Sequence, residues 1–232
     1  MKPILFNTKM VQAIIDGRKT QTRRLVSPAH IAALSSSTRK SHPELTDQEF
    51  LFQIAAPKYR IGEILYVRET WGTFEEPGKI YYRADNDAPA NIEWKPSIHM
   101  PKTAARLFLI IKEIRVERLR DITEEDARAE GAPDCFCDEE DEDDRLCQSC
   151  EKRMGARMAF AEIWDETITR KNRPSYGWHA NPFIWVYKFE KINTDKIFEK
   201  VRDALNEIVP KLPGLIEKIE DAIKEQLEKS NI

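Results

Sequence analysis

The sequence predicts an α+β protein: a small, partly open β-barrel with helices on its flank, a Cys-rich insertion and a C-terminal helical hairpin. Three observations lead there. Short runs with β-type patterning are separated by turns, without the repeated helical spacers of a doubly wound sheet. The helical patterns are few and mostly late in the chain. After Ile192 the composition shifts to a Lys/Glu-rich segment with an apolar stripe at helical spacing.

In chain order, the first element is a short amphipathic helix. Thr8 reads as its N-cap, Met10, Val11, Ile14 and Ile15 recur at helical spacing, and Gly17 ends it. From Ser27 to about Tyr59 the chain is rich in Ser, Thr, His and Pro, which reads as an extended loop or insertion. Strand patterns follow at Ile64 to Arg68, Ile80 to Arg83, Leu107 to Ile111 continuing to Leu119, and Phe183 to Phe189 with aromatics at every second position. Thr123-Glu124-Glu125-Asp126 has the form of a capping box, opening a helix that Gly131 closes. Met154, Met158, Ala161, Ile163 and Trp164 mark a further helix. A domain of residues 1–192, with insertions at about 27–58 and 133–151, is thus followed by a tail of residues 193–232. In that tail Ile197, Val201, Leu205 and Ile208 keep helical spacing, Pro210 and Pro213-Gly214 interrupt it, and Ile216, Ile219, Ile223 and Leu227 resume it. The stripe suits docking onto the barrel, a protein partner or self-association.

A chain of 232 residues accommodates one domain and an appendage. No stretch approaches the roughly 18 to 20 consecutive apolar residues of a membrane span, and the N-terminus lacks a signal-peptide core, so a cytoplasmic protein without membrane contact is expected. The net charge of −3 conceals a division. Residues 134–151 hold nine acids against one Arg and residues 193–232 nine acids against seven bases, which leaves the remainder basic. Residues 1–42 alone carry eight Lys/Arg against one Asp. That surface faces either a phosphate-bearing partner or only solvent.

The chemistry-bearing segment is Gly17-Arg18-Lys19-Thr20-Gln21-Thr22-Arg23-Arg24. Its donors suit phosphate or carbonyl oxygens, and a desolvated Lys can lose its proton and act as a base for a neighbouring hydroxyl. In a straight strand Lys19 and Thr22 point to opposite faces, so a bend after Gly17 is needed to bring them together. The alternative is a surface loop with ordinary charges. His99 suits a base edge or phosphate, or is a satisfied structural histidine. Trp71, Trp94, Trp178 and Trp185 fill the core or, for Trp71 directly after Arg68-Glu69, stack on a nucleobase. Cys135, Cys137, Cys147 and Cys150 are clustered, unlike a disulfide framework, and form a C-x-C, nine-residue spacer, C-x-x-C arrangement able to close a structural Zn²⁺ site. The alternative is four reduced thiols.

Gly17 to Arg24, Tyr59 to Trp71, Ser97 to Lys102, Ile122 to Gly131 and Asn181 to Val186 together resemble the ASCH domain family, in the type found in bacteriophages and prophages. The resemblance spans roughly residues 1 to 191. It implies a PUA-like β-barrel with a cleft suited to RNA or a modified nucleoside. In such a basic cleft, RNA, single-stranded nucleic acid or a modified nucleoside is the expected ligand, and Arg18, Arg23, Arg24, Arg68, Glu69, Trp71 and His99 are the candidate contacts. One small bacterial branch deacetylates N4-acetylcytidine with a lysine as proton acceptor, a threonine as nucleophile and a glutamate as proton donor. Those roles fall on Lys19, Thr22 and Glu130 here, although this chain is about twice as long as members of that branch. Three functions follow as expectations: nucleoside or nucleic-acid binding, amidohydrolysis of an acylated cytidine, and a protein-interaction role for the acidic loop and tail.

Overall fold

The computed structural model describes residues 1–74, 79–85, 87–134, 155–193, 218 and 220–224. Strand β1 (Lys2–Leu5) leads into helix α1 (Thr8–Ile15), and β2 (Gln21–Leu25) follows. The α1 cap is Asn7, one residue earlier than expected: its side-chain oxygen accepts the Met10 N–H at 2.9 Å. Gly17 takes φ +79°, the left-handed conformation that ends the helix and turns the chain into β2.

The Ser-rich segment is not an extended loop. It forms α2 (Pro28–Ala33), α3 (Ser37–Lys40) and α4 (Asp47–Ile54). Ser27, Ser36 and Thr46 each accept a backbone N–H at the start of one helix, and Thr46 with Glu49 completes a capping box. Three of the hydroxyls that suggested a loop are thus N-caps.

Then come β3 (Ile64–Arg68), β4 (Trp71–Thr73), β5 (Ile80–Tyr82) and the long β6 (Phe108–Arg118). Helix α5 (Glu124–Ala129) starts on Thr123, whose hydroxyl accepts the Asp126 N–H, and Gly131 follows its end with φ +85°. Helices α6 (Gly155–Thr167) and α7 (Arg173–Tyr176) precede β7 (Phe183–Lys191). The sheet order is β1-β3-β6-β7-β2, with β4 and β5 in a separate two-stranded sheet. The α+β class is as the sequence indicates, but among the described residues these strands close no barrel. Three strands are missing from the sequence reading, β1, β2 and β4, of four, five and three residues, too short to show a period.

The described residues fall into two compact units. One draws on Met1–Gln12, Ile64–Ile110 and Lys191–Ile232, the other on Ala13–Glu63 and Ile111–Glu190. In the first, Tyr66, Met100, Ala104 and Ala105 form a small core with Trp71, Ile80, Tyr82 and Phe108 against it. In the second, the β2–β7 pair sets Thr22 opposite Tyr187 and Arg24 opposite Trp185, so these four share one face. Segment 46–59 covers that face: Phe52 lies 5.9 Å from Trp185, Tyr59 lies 5.2 Å from Tyr187, and the Lys58 N–H donates to the Tyr187 hydroxyl at 3.2 Å. The opposite face carries Gln21, Arg23, Ile184 and Val186. The latter two are wholly buried with Ala127, Ala159, Phe160 and Trp164, each contributing about 1.5–3 kcal/mol.

No helix among the described residues is long and apolar enough to cross a membrane. Cys135, Cys137, Cys147, Cys150 and the expected tail break at Pro210–Gly214 lie outside the described residues. Of the tail, residues 218 and 220–224 are helical.

Candidate functional site

The left-handed Gly17 and the loop after it aim Lys19 inward, where it makes an isolated antiparallel bridge with Glu130 at the end of α5. The Lys19 Nζ donates to Glu130 Oε2 at 2.7 Å and to the Glu130 carbonyl oxygen at 2.7 Å. Both residues are buried, at 2% and 6% exposure. Burial holds the Lys19 ammonium below the ordinary lysine range, and the charges of Arg24 and Arg23 push the same way against the attraction of Glu130. An uncompensated buried ammonium would be far costlier than this pair.

Thr22, 1% exposed, sits on the other face of β2 from Gln21 and Arg23. Its hydroxyl oxygen accepts from Arg24 Nη1 at 2.6 Å. Arg24 is also within electrostatic reach of Glu130 and of Lys19. Tyr59 and Tyr187 also lie within electrostatic reach of Arg24.

Arg23 faces carboxylates rather than solvent. Its Nη1 donates to Glu130 Oε1 at 2.9 Å, and its Nη2 to Glu117 Oε1 at 2.6 Å and Asp126 Oδ2 at 3.1 Å. Arg115 returns to the same acids, Nε to Glu117 Oε2 at 2.8 Å and Nη2 to Asp126 Oδ2 at 2.9 Å. The Gln21 side-chain N–H donates to the Asp126 carbonyl and carboxylate oxygens. Arg18 is exposed and pairs with Asp16.

Arg68, Glu69, Trp71 and His99 belong to the first unit. Glu69 is 1% exposed and receives a bidentate fork from Arg106 at 2.9 and 3.0 Å. Burial raises the Glu69 carboxyl above its ordinary range, and Arg106 opposes that shift. Arg106 also binds Asp85 and lies 3.9 Å over the Tyr82 ring. Arg68 donates to the Ile98 carbonyl, Trp71 is half-buried beneath Lys95, and His99 is exposed. Trp178 and Trp185 are buried, and Trp94 is half-buried.

Sequence reasoning missed Asp126, Glu117, Arg115, Tyr59 and Tyr187 in the second unit. Signals existed: Asp126 and Glu130 are four apart on one helix face, and Arg115 and Glu117 share a face of β6 with Glu113.

Two expected results follow from this geometry. A Cβ on Gly131 would lie 2.9 Å from Ala13 Cβ and 3.4 Å from Lys19 Cβ at a left-handed φ. Gly131→Ala should therefore cost about 1–3 kcal/mol in urea denaturation, and an unchanged midpoint would contradict this packing. Burial pushes the Tyr187 hydroxyl up to about 12. The neutral phenol is the favoured form in the fold, so its contribution is complete below pH 10 and lost as pH rises through about 12. Ultraviolet titration should show late-ionising tyrosines, Tyr82 and Tyr187 among them, and the late amplitude should fall by one tyrosine in Tyr187→Phe.

No family model matches the chain, and no curated protein does. A solved structure with some similarity is a protein of Enterococcus faecalis described under the family model DUF984. It is 11% identical, covers 80% of this chain and 69% of its own, and has a TM-score of 0.35, a likeness too slight to bear on fold or function. Among the described residues no group of three or more His, Cys, Asp or Glu is placed to hold a metal ion.

Proposed function

We propose that the second unit carries an ASCH-type hydrolytic site for an N4-acylated cytidine nucleoside, with Lys19 as base, Thr22 as nucleophile and Glu130 as proton donor. The observation that supports it is the buried 2.7 Å contact between Lys19 and Glu130, residues 111 apart in sequence, with Thr22 three residues after Lys19 and its hydroxyl held by Arg24. Burial favours the neutral amine that a base requires. The Arg24 guanidinium on the Thr22 oxygen stabilises negative charge as it develops there. Thr22 Oγ1 would attack the acyl carbon as its proton passes to Lys19. The C–N bond then breaks, and the amine leaves with a proton relayed through Glu130. Water cleaves the threonyl ester, returning a proton to Thr22 and releasing the carboxylic acid.

Incubating the protein with N4-acetylcytidine should release acetate and cytidine in equal amounts. Lys19→Met should lower that rate by roughly 10²- to 10⁴-fold while the nucleoside still binds. A wild type that binds the nucleoside and releases no acetate removes the hydrolytic reading.

A second reading, binding of single-stranded nucleic acid, is favoured by the first unit. There Lys95, Lys79 and Arg83 lie 5.0, 5.0 and 5.9 Å from the half-exposed rings of Trp71, Tyr81 and Trp94. Rings for base stacking beside cations for phosphates suit such a strand. Trp71→Ala should then weaken oligonucleotide binding, and Lys95→Ala should reduce its salt dependence. A PUA-like barrel remains part of the proposal, and the protein-interaction role rests on residues outside those described. For the four cysteines the proposal is one structural Zn²⁺, on their spacing alone. Protein purified without added metal should contain about one zinc per chain, and four freely titrating thiols without zinc would overturn it.

A further inference from the structure

We propose that Arg23 is a positioning residue, whose fork sets the Glu130 carboxylate against Lys19 and is itself fixed by Glu117, Asp126 and Arg115. The terminal torsion of a glutamate is broad, so one contact to Lys19 leaves the carboxylate free to rotate. Arg23 removes that freedom by taking Oε1 at 2.9 Å while Lys19 holds Oε2 at 2.7 Å. Arg23 cannot follow a rotating carboxylate, because Glu117 on β6 and Asp126 on α5 hold its other nitrogen and Arg115 ties those two acids together. The Phe160 ring of α6, 5.6 Å from the guanidinium carbon, adds a further side. Charge therefore alternates from half-exposed Arg115, through Asp126 and Glu117, to Arg23, Glu130 and Lys19. With its side chain 1% exposed and directed at three carboxylates, Arg23 is not offered to a phosphate. It touches neither reacting atom of the proposed hydrolysis and acts through Glu130.

Geometry and charge separate by substitution. Arg23→Lys keeps the positive charge but not the planar fork, so it cannot span Glu130 and the Glu117–Asp126 pair at once. Arg23→Met removes both. The activity arm of the test rests on the hydrolytic reading. There Arg23→Lys should lower kcat by roughly 10²-fold with KM little changed and the pH profile unmoved. Arg23→Met should in addition move the limb belonging to Lys19 to higher pH, because a neighbouring positive charge is gone. The second arm is independent of catalysis. The side-chain amine signal of Lys19, followed by ¹⁵N NMR, should shift in Arg23→Lys and titrate at higher pH in Arg23→Met.

If Arg23→Met does not fold, Arg23→Lys and Arg115→Gln carry the measurement, each expected to shift the Lys19 signal. A folded Arg23→Lys with wild-type kcat and an unshifted Lys19 signal would overturn the positioning role. A wild type without turnover removes the hydrolytic reading alone, and the NMR arm then decides the role of Arg23.

Discussion

Replacing Glu130 by Ala is expected to cost about 3–5 kcal/mol of folding stability, the largest single effect on the fold predicted for this site. The substitution leaves Lys19 buried without its carboxylate, while Arg23 keeps Glu117 and Asp126. The loss should depend on pH with a definite sign. The folded-state pKa of Lys19 already lies below its ordinary 10.5 and falls further without Glu130. Between that lowered value and 10.5 the unfolded chain binds more protons than the folded one, so stability of the variant rises with pH. Urea denaturation near pH 7 and again toward pH 10 checks this. A variant as stable as wild type at both would mean that the Lys19–Glu130 contact does not exist in solution.

Thr22→Val is expected to have the largest effect on turnover, a loss well beyond about 10³-fold in kcat. The change removes only the hydroxyl and keeps the β-branched shape that suits β2. Nucleoside affinity should persist, because the hydroxyl serves the acyl transfer and the side-chain volume is kept. Turnover close to wild type would exclude Thr22 as nucleophile and leave Lys19 to activate water directly.

Much of this arrangement was legible in the sequence because its signals are local. Thr123 and Gly131 mark the two ends of α5, which places Asp126 and Glu130 on one helix face. Alternation marks β3, β6 and β7. Gly17 marks the turn that lets Lys19 point inward. Charge was misleading where burial decides: Arg23 reads as a surface cation, yet its partners Glu117, Asp126 and Glu130 lie 94, 103 and 107 residues away. Such pairings depend on strand register, which composition does not carry. The Ser-rich segment failed for a different reason. Ser27, Ser36 and Thr46 are N-caps of helices only four to eight residues long, too short for an apolar period to outweigh a loop-like composition.

In the proposed hydrolysis Thr22, served by Lys19 and Glu130, attacks an acylated cytidine. That attack is tested most directly by quenching the protein early in its reaction with N4-acetylcytidine and mapping the acyl group by peptide mass spectrometry. One acetyl group should appear on Thr22, formed as cytidine is released, lost as acetate appears, and absent from Thr22→Val. Acetate and cytidine released together with no acetyl group on Thr22 at any time, or no release at all, would contradict it.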